Sequence, residues 1–274
     1  MNKILVWART ILEKLGIAVI KQETLDALLR RQSYLEPFER WSSASVPAGL
    51  HNWVLTNMSK SKAQLQQDLF VSYFYPNPDP MNFFVEFGAT NGISLSNTYF
   101  LESELNWNGI LAEPGRTWHE TLTQNRKCKI DFDCVFSNTG EVVEFSEVIH
   151  PELSTISSFQ GKDSHSEFRK KKVTYPVTTV TLQELLIRNN SPKAITYLSI
   201  DTEGSEFEIL ENFPFKNWNI SIISVEHNYT ANTEKLEDLL TKNGFTRVLT
   251  EVSLFDSWYL SGELIQRFRA LTND

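Results

Sequence analysis

The sequence predicts an α/β fold with a mostly parallel β-sheet, helices on both faces and an antiparallel hairpin near the C-terminus. The apolar run 83–87 is typical of a buried strand, and it leads through a glycine turn to a helix start at Ile93. Strand-like and helix-like segments alternate from there along the chain. The apolar segments 245–249 and 254–260 are joined by a short connection, which predicts the hairpin.

The other elements follow from apolar spacing, capping residues and breakers. Thr181 suits a helix N-cap, Pro114 suits a first helical position, and Asn243-Gly244 ends a helix. Residues 147–172 are polar without a clear period, so we expect a loop over the ligand face that contributes to acceptor binding. Predicted helices cover residues 63–74, 96–105, 114–125, 182–187, 205–210, 233–242 and 263–271, and further strands cover 109–113, 129–132, 135–136, 142–145, 176–180, 195–200 and 220–225.

The first 60 residues differ from the rest, so we predict a helical extension and linker over 1–60 and one main domain over 61–274. Residues 2–20 have the apolar spacing of an amphipathic helix, and Thr24 can cap a second short helix. Residues 36–60 carry prolines, serines and a glycine, which favours an irregular linker. The amphipathic face of 2–20 packs either on the body or on a sister subunit of a homodimer, or it lies on a membrane surface.

The composition indicates which kinds of binding partner and which cellular compartment suit the chain. The net charge of −8 disfavours a nucleic-acid backbone as the main partner. Two cysteines are too few for a disulfide framework and fit a reducing compartment. No apolar run reaches the roughly 18 residues that a membrane span needs, so we expect a cytoplasmic protein without a transmembrane segment.

Two acidic residues in the first β-α-β unit indicate the kind of cofactor. Glu86 lies within the buried strand, and we expect it to face a cationic or hydrogen-bond-donating ligand. Glu113 ends the next strand about 20 positions after Gly92, the spacing at which an acid binds a ribose diol. A ribose-binding acid at this spacing is consistent with two cofactors, a nicotinamide dinucleotide or S-adenosylmethionine. The second and third glycines of G-x-G-x-x-G are replaced by Thr90 and Ile93, which favours the phosphate-free, cationic S-adenosylmethionine.

Five motifs across residues 64–260 resemble those of FkbM-type S-adenosylmethionine-dependent methyltransferases. The resemblance implies a Rossmann-like class I methyltransferase fold with a seven-stranded, mostly parallel sheet. It also implies O-methylation of hydroxyls on sugars, glycans or related natural products. The motifs are residues 84–89, 96–98, 107–109 with 112–114, 200–206 and 225–228, and residues 67–71 resemble a segment of one branch of the family.

The same resemblance implies which residues hold the cofactor. One set contacts its methionine part, one residue takes the ribose, and another set lies near the adenine, while Asp201 is a further cofactor-binding candidate. These are Glu86, Gly88, Ala89, Asn91 and Gly92 for the methionine part, Glu113 for the ribose, and Asp133, Cys134, Val135 and Ser137 for the adenine.

Methyl transfer to a hydroxyl needs in-line alignment and removal of one proton. His227, at the end of a predicted strand, is the candidate general base; the alternative is a histidine hydrogen-bonded within a turn. Asp201, Glu203 and Glu226 follow two neighbouring strands and should converge, with Asp201 and Glu226 as further catalytic candidates. Three converging carboxylates predict a Mg²⁺ site; alternatively, Asp201 caps a helix or binds the cofactor and Glu203 pairs with a lysine.

Two other functions remain open at this stage. One is an NAD-dependent oxidoreductase of Rossmann type, which the missing glycines disfavour. The other is a non-catalytic glycan-binding protein that retains the fold, which the set of Glu86, Glu113, Asp201 and His227 disfavours.

Overall fold

The structure is a computed structural model that describes residues 35–148, 154–157, 172–229 and 232–272. The chain divides into two compact units, residues 1–43 and 44–274. In the first unit, residues 35–43 are helical. The helices predicted over 2–20 and from Thr24 lie outside the described residues.

Two helices precede the sheet in the second unit, α1 (Ala48–Asn57) and α2 (Gln67–Phe74). The irregular linker predicted over 36–60 is wrong over residues 48–57. Leu50 and Val54 stand four positions apart on α1, and both are buried. This apolar pair gives the segment a core-facing side that outweighs the prolines and serines around it.

The main sheet has seven strands in the order β10-β11-β9-β8-β1-β2-β3. Strands β9, β8, β1, β2 and β3 are parallel neighbours, whereas β11 runs antiparallel to β9 and β10 antiparallel to β11. The predicted mostly parallel sheet with a C-terminal antiparallel hairpin is confirmed. The strands are β1 (Phe83–Phe87), β2 (Asn108–Ala112), β3 (Lys129–Asp131), β8 (Ala194–Ile200), β9 (Asn219–Glu226), β10 (Phe245–Val248) and β11 (Asp256–Ser261).

A second sheet of four strands has the order β4-β7-β5-β6. Its longest pairing is antiparallel, between β5 and β7. Thr155 lies in this sheet, and its hydroxyl bonds to the carbonyl oxygens of Thr202 and Glu203, which ties the small sheet to the loop after β8. The strands are β4 (Cys134–Val135), β5 (Val142–Val148), β6 (Thr155–Ile156) and β7 (Lys172–Val180).

The first crossover helix begins later than the sequence predicts. Residues 92–98 form a loop, and α3 starts at Tyr99 instead of Ile93 or Ser96. The loop is held by polar side chains that compete with helical hydrogen bonds, since Asn91 accepts from the N–H groups of Ile93 and Ser94. The remaining helices are α3 (Tyr99–Ser103), α4 (His119–Asn125), α5 (Leu182–Arg188), α6 (Glu206–Glu211), α7 (Thr233–Lys242), α8 (Thr250–Ser253) and α9 (Gly262–Thr272).

The apolar core lies between the central strands and the helices that cover them. Val85, Leu198 and Ile223, on three neighbouring strands, are fully buried, and Leu185 and Leu240 of the covering helices join the same cluster. Within the described residues, no helix is both long and apolar enough to cross a membrane.

Candidate functional site

A cavity of about 470 Å³ opens at the carboxyl ends of β1, β2, β8 and β9. Ligands of open parallel α/β sheets bind at this edge, because the loops that follow the strands meet there. The small sheet closes part of the wall with Phe145, Ser154 and Ile156.

The turn after β1 forms the cavity floor, and it requires glycine. Gly88 has a φ of +72°, and a Cβ atom there would lie 2.0 Å from the backbone oxygen of Asp201. The glycine therefore allows the loops after β1 and β8 to touch. Ala89, predicted to bind the cofactor, is buried and is not part of the cavity wall.

Glu113 ends β2 and lines the cavity as the sequence predicts. Its Oε2 accepts the N–H of Thr90 at 2.8 Å, and its Oε1 accepts the N–H of Gly115 at 2.7 Å. Each oxygen keeps a lone pair for a further donor. Burial raises the pKa of Glu113 to about 7. The two hydrogen bonds lower the pKa, whereas the charges of Glu147 and Glu86 raise it.

Glu86 does not line the cavity, although the sequence predicts that it faces a ligand. It accepts hydrogen bonds from the N–H of Asn97 at 2.7 Å and from the hydroxyls of Ser96 and Thr98, and its Oε2 lies 3.7 Å from Nη1 of Arg126. A buried carboxylate does need a positive partner here, but the protein supplies it. Burial nevertheless raises the pKa of Glu86.

Gly92 and Asn91, both predicted to contact the cofactor, make close contacts within the protein. A Cβ atom on Gly92 would lie 2.7 Å from the side chains of both Arg126 and Leu122. Asn91 turns the loop by accepting the N–H of Ser94 at 2.8 Å. Neither residue is part of the cavity wall, so the close approach that Gly92 permits is to Arg126.

The predicted adenine set divides into two pairs. Cys134 and Val135 line the cavity, and burial raises the pKa of the Cys134 thiol to about 12, which keeps it neutral. Asp133 instead pairs with Arg188, its Oδ2 lying 2.8 Å from Nη1, and Ser137 is not part of the cavity wall.

Asp201, Glu203 and Glu226 converge as predicted. Each offers one carboxylate oxygen, and these oxygens lie within 4.8 Å of one another. Glu226 is only 8% exposed and lines the cavity, and its Oε2 is buried without a hydrogen-bond partner. Burial raises the pKa of Asp201, and burial together with the charges of Asp201 and Glu203 raises the pKa of Glu226 well above its ordinary value. Oxygen donors at this spacing fit a hard divalent cation.

The loop that carries two of these acids is shaped by Glu206 at the start of α6. Its Oε1 accepts the N–H groups of Thr202 at 3.0 Å and Gly204 at 2.9 Å, and the Thr202 hydroxyl at 3.0 Å. Glu203 consequently adopts a left-handed backbone with a φ of +59°. The Asp-x-Glu-Gly motif therefore encodes a fixed loop conformation as well as acidic ligands.

The cavity wall is strongly acidic. Four carboxylates line it, Glu113, Asp201, Glu203 and Glu226, and no lysine, arginine or histidine is among the described residues of the wall. A buried site of this kind attracts cations and repels phosphates.

His227 is not placed to act as the general base. It is buried, and both ring nitrogens bond to backbone: Nδ1 accepts the N–H of Tyr229 at 3.1 Å, and Nε2 lies 3.1 Å from the carbonyl oxygen of Asp256. Because Nδ1 accepts, Nε2 carries the proton and donates it. No lone pair faces the cavity, so the geometry corresponds to the turn histidine.

A family model described as the Methyltransferase FkbM domain matches residues 86–247, more than half of the chain. The chain belongs to the FkbM methyltransferase family. The matched region runs from Glu86 to Arg247 and includes the cavity residues Glu113, Asp201 and Glu226. The resemblance of the sequence motifs to this family is thereby confirmed.

Two solved structures resemble the chain at low identity. One is the methyltransferase FkbM from Methylobacillus flagellatus KT, with 11% identity, a TM-score of 0.39, and coverage of 85% of this chain and 60% of that one. The other is a fibrillarin/Nop5p complex, with 11% identity, a TM-score of 0.32, and coverage of 66% and 72%. This chain thus spans 60% of the length of the FkbM structure. Comparison with curated proteins gave no match.

Some cavity residues of this FkbM domain have no signal in the sequence. They come from loops before and after the motifs and from the small sheet, and only tertiary contacts bring them together. Thr90, with a φ of +47°, had one signal, because it occupies the second glycine position of the fingerprint. The residues without such a signal are Gln64, Leu95, Phe145, Ile156, Tyr229 and Phe255, whereas Asn228 belongs to the motif 225–228 and Ser154 to the polar segment 147–172.

Proposed function

We propose that this FkbM-family protein transfers the methyl group of S-adenosylmethionine to a hydroxyl of a sugar, glycan or related natural product. The observation that carries the proposal is the acidic cavity at the carboxyl ends of the strands. A dinucleotide would bring a doubly charged pyrophosphate next to four carboxylates without a basic side chain in the described wall. S-adenosylmethionine has no phosphate and carries a sulfonium and an ammonium, which such a wall attracts.

The cavity walls suggest how the cofactor lies. Glu113 accepts the ribose hydroxyls with its remaining lone pairs, and Cys134 and Val135 contact the adenine. Gly88 and Asp201 then lie next to the methionine part and its ammonium. This arrangement leaves Glu226 for the acceptor.

The chemistry needs one bond to form as another breaks. The acceptor oxygen attacks the methyl carbon in line, a C–O bond forms, and the electrons of the broken C–S bond remain on sulfur as S-adenosylhomocysteine. The hydroxyl proton passes to a carboxylate, and Glu226 is the candidate because it lines the cavity and its buried Oε2 has no hydrogen-bond partner. His227 is not assigned this role.

The three carboxylates also fit Mg²⁺, and we keep this as a second proposal because their oxygens lie within 4.8 Å of one another. Asp201, Glu203 and Glu226 would hold the ion. A bound cation would supply Lewis-acid polarisation of the acceptor hydroxyl.

The test measures S-adenosylhomocysteine release with a panel of methyl glycosides, before and after EDTA and with Mg²⁺ restored, in wild-type protein and Glu226→Gln. We expect cofactor binding by calorimetry in both proteins, and a loss of turnover of about 10²–10⁴-fold in the variant. EDTA sensitivity that Mg²⁺ reverses would support the metal.

Wild-type protein that binds NADH, detected by fluorescence titration, but not S-adenosylhomocysteine would overturn the methyltransferase proposal. Full turnover by Glu226→Gln would remove Glu226 from the chemistry. Activity that is unchanged by EDTA and by Mg²⁺ would remove the metal.

A further inference from the structure

The turn after β9 places an exposed aromatic ring at the cavity. Tyr229 is 74% exposed although it lines the cavity, and it follows Asn228, which lines it too. Both residues have left-handed backbones, with φ of 43° and 54°. Asparagine tolerates this region, but for tyrosine it is uncommon and costs free energy, so other contacts must hold the turn.

His227 supplies those contacts. Its Nδ1 accepts the N–H of Tyr229, and its Nε2 donates to the carbonyl oxygen of Asp256 on the neighbouring strand. The carbonyl oxygen of Phe255 accepts the backbone N–H groups of both His227, at 2.9 Å, and Asn228, at 3.2 Å. The imidazole thus joins the strained turn to β11, and its ring lies edge-on to Tyr229 at 5.3 Å between centroids.

Other apolar groups line the same cavity. Leu95 is 49% exposed and also has a left-handed backbone, with a φ of 62°, and Phe255 belongs to the wall as well. Gln64 and Asn228 add neutral amides to the wall. A site with an exposed ring, neutral amides and carboxylate side chains suits a neutral polyhydroxyl ring, which has apolar C–H faces and hydroxyl edges.

We propose that His227 is a positioning residue that holds the Asn228–Tyr229 turn, and that the Tyr229 ring is a stacking platform for a neutral sugar acceptor. The proposal rests on the proposed function, because it assigns the acceptor side of the same cavity. A base role for His227 predicts lost turnover with intact acceptor binding, whereas a positioning role predicts lost acceptor binding.

The test is saturation-transfer NMR on the complex with S-adenosylhomocysteine, using the methyl glycosides of glucose, galactose and rhamnose, with glucose 6-phosphate as the anionic comparison. We expect saturation-transfer signals on the C–H groups of the methyl glycosides and no such signals for glucose 6-phosphate. Tyr229→Ala should raise the sugar dissociation constant about three- to tenfold, as expected for a lost aromatic contact, while Tyr229→Phe keeps it.

His227→Ala should have the same effect as Tyr229→Ala, and His227→Asn, which can still accept the Tyr229 N–H, should restore sugar binding. Phe132→Ala is the matched control, since Phe132 is an exposed aromatic residue that is not part of the cavity wall. Calorimetry with S-adenosylhomocysteine on every variant reports the cofactor site separately.

Unchanged sugar binding in Tyr229→Ala would overturn the platform, and unchanged sugar binding in His227→Ala would overturn the positioning role. A wild-type complex that binds S-adenosylhomocysteine but no sugar would overturn the carbohydrate assignment and leave the cofactor assignment standing. Failure of the wild-type protein to bind S-adenosylhomocysteine would instead count against the proposed function itself.

Discussion

At the residue scale, the acidic side chains have different tasks that depend on what surrounds them. Glu86 is surrounded by donors from one loop and by Arg126, so its hydrogen bonds and ion pair are all made within the protein. Glu113 keeps accepting capacity in the cavity, and Glu226 keeps an oxygen without a partner. All three are acids at or near the carboxyl ends of strands of the main sheet, and only their contacts distinguish them.

Glu113 makes cofactor affinity depend on pH. Its pKa of about 7 in the free protein, raised mainly by burial, means that about half of the carboxyl is protonated at neutral pH. Ribose hydroxyls donate to the ionised form, so binding is favoured as pH rises through this pKa. We expect S-adenosylhomocysteine to bind about tenfold more tightly at pH 8 than at pH 6, by calorimetry.

The control for this prediction is Glu113→Gln, which should bind more weakly and lose the pH dependence. The other charged groups that act on Glu113 are Glu147 and Glu86. An unchanged slope in the variant would assign the titration to one of these or to another group.

Replacing Arg126 tests whether Glu86 serves the stability of the fold. Arg126→Met removes the cation and leaves a buried carboxylate without its positive partner, so we expect a loss of about 3–5 kcal/mol in the free energy of unfolding, measured with urea. The double variant Arg126→Met with Glu86→Gln removes the charge as well, and it should recover part of that loss.

A Glu86→Gln protein that folds as stably as wild type but no longer binds S-adenosylhomocysteine would contradict this structural role. It would return Glu86 to the cofactor site.

At the element scale, the site depends on the turn after β1, because this turn contacts the loop after β8 and the end of β2. Gly88 lets the loop after β1 touch the loop after β8, which carries Asp201. The same turn also contacts Glu113 at the end of β2, because the backbone N–H of Thr90 donates a hydrogen bond to its Oε2. Three strand ends are thus connected by one short turn.

Gly88→Ala should be strongly destabilising, and Gly140→Ala is its matched control. Both glycines have positive φ, +72° and +82°, but a Cβ on Gly140 would meet nothing within 4 Å, whereas on Gly88 it would overlap Asp201. We expect Gly140→Ala to cost about 1 kcal/mol of unfolding free energy from backbone strain alone.

We expect Gly88→Ala to lose several times as much unfolding free energy as Gly140→Ala, or to fail to fold, as measured by thermal and urea unfolding. Equal costs at the two positions would mean that the contact between the two loops does not constrain the turn.

At the scale of the whole molecule, two sheets build the cavity together. The main sheet supplies the acidic floor, and the small sheet adds Phe145, Ser154 and Ile156 to the wall. Thr155 connects the two through the carbonyl oxygens of the acidic loop. The cavity wall is therefore built from segments far apart in the chain.

The sequence by itself determined the fold class, the positions of the main-sheet strands along the chain, and the acids at the strand ends, because apolar periodicity and glycine turns are local signals. Glu113, Asp201 and Glu226 were predicted for the cavity on this basis, and the structure brings them there.

Only the tertiary structure decided which polar groups remain available to a ligand. Glu86 was predicted to face a ligand and His227 to be a base, but the atoms that bond to them are contributed by residues distant in sequence, such as Arg126 and Asp256. The exposed Tyr229 also had no sequence signal. A local pattern specifies a side chain and its strand, whereas its free lone pairs depend on every neighbour that folding brings within hydrogen-bond distance.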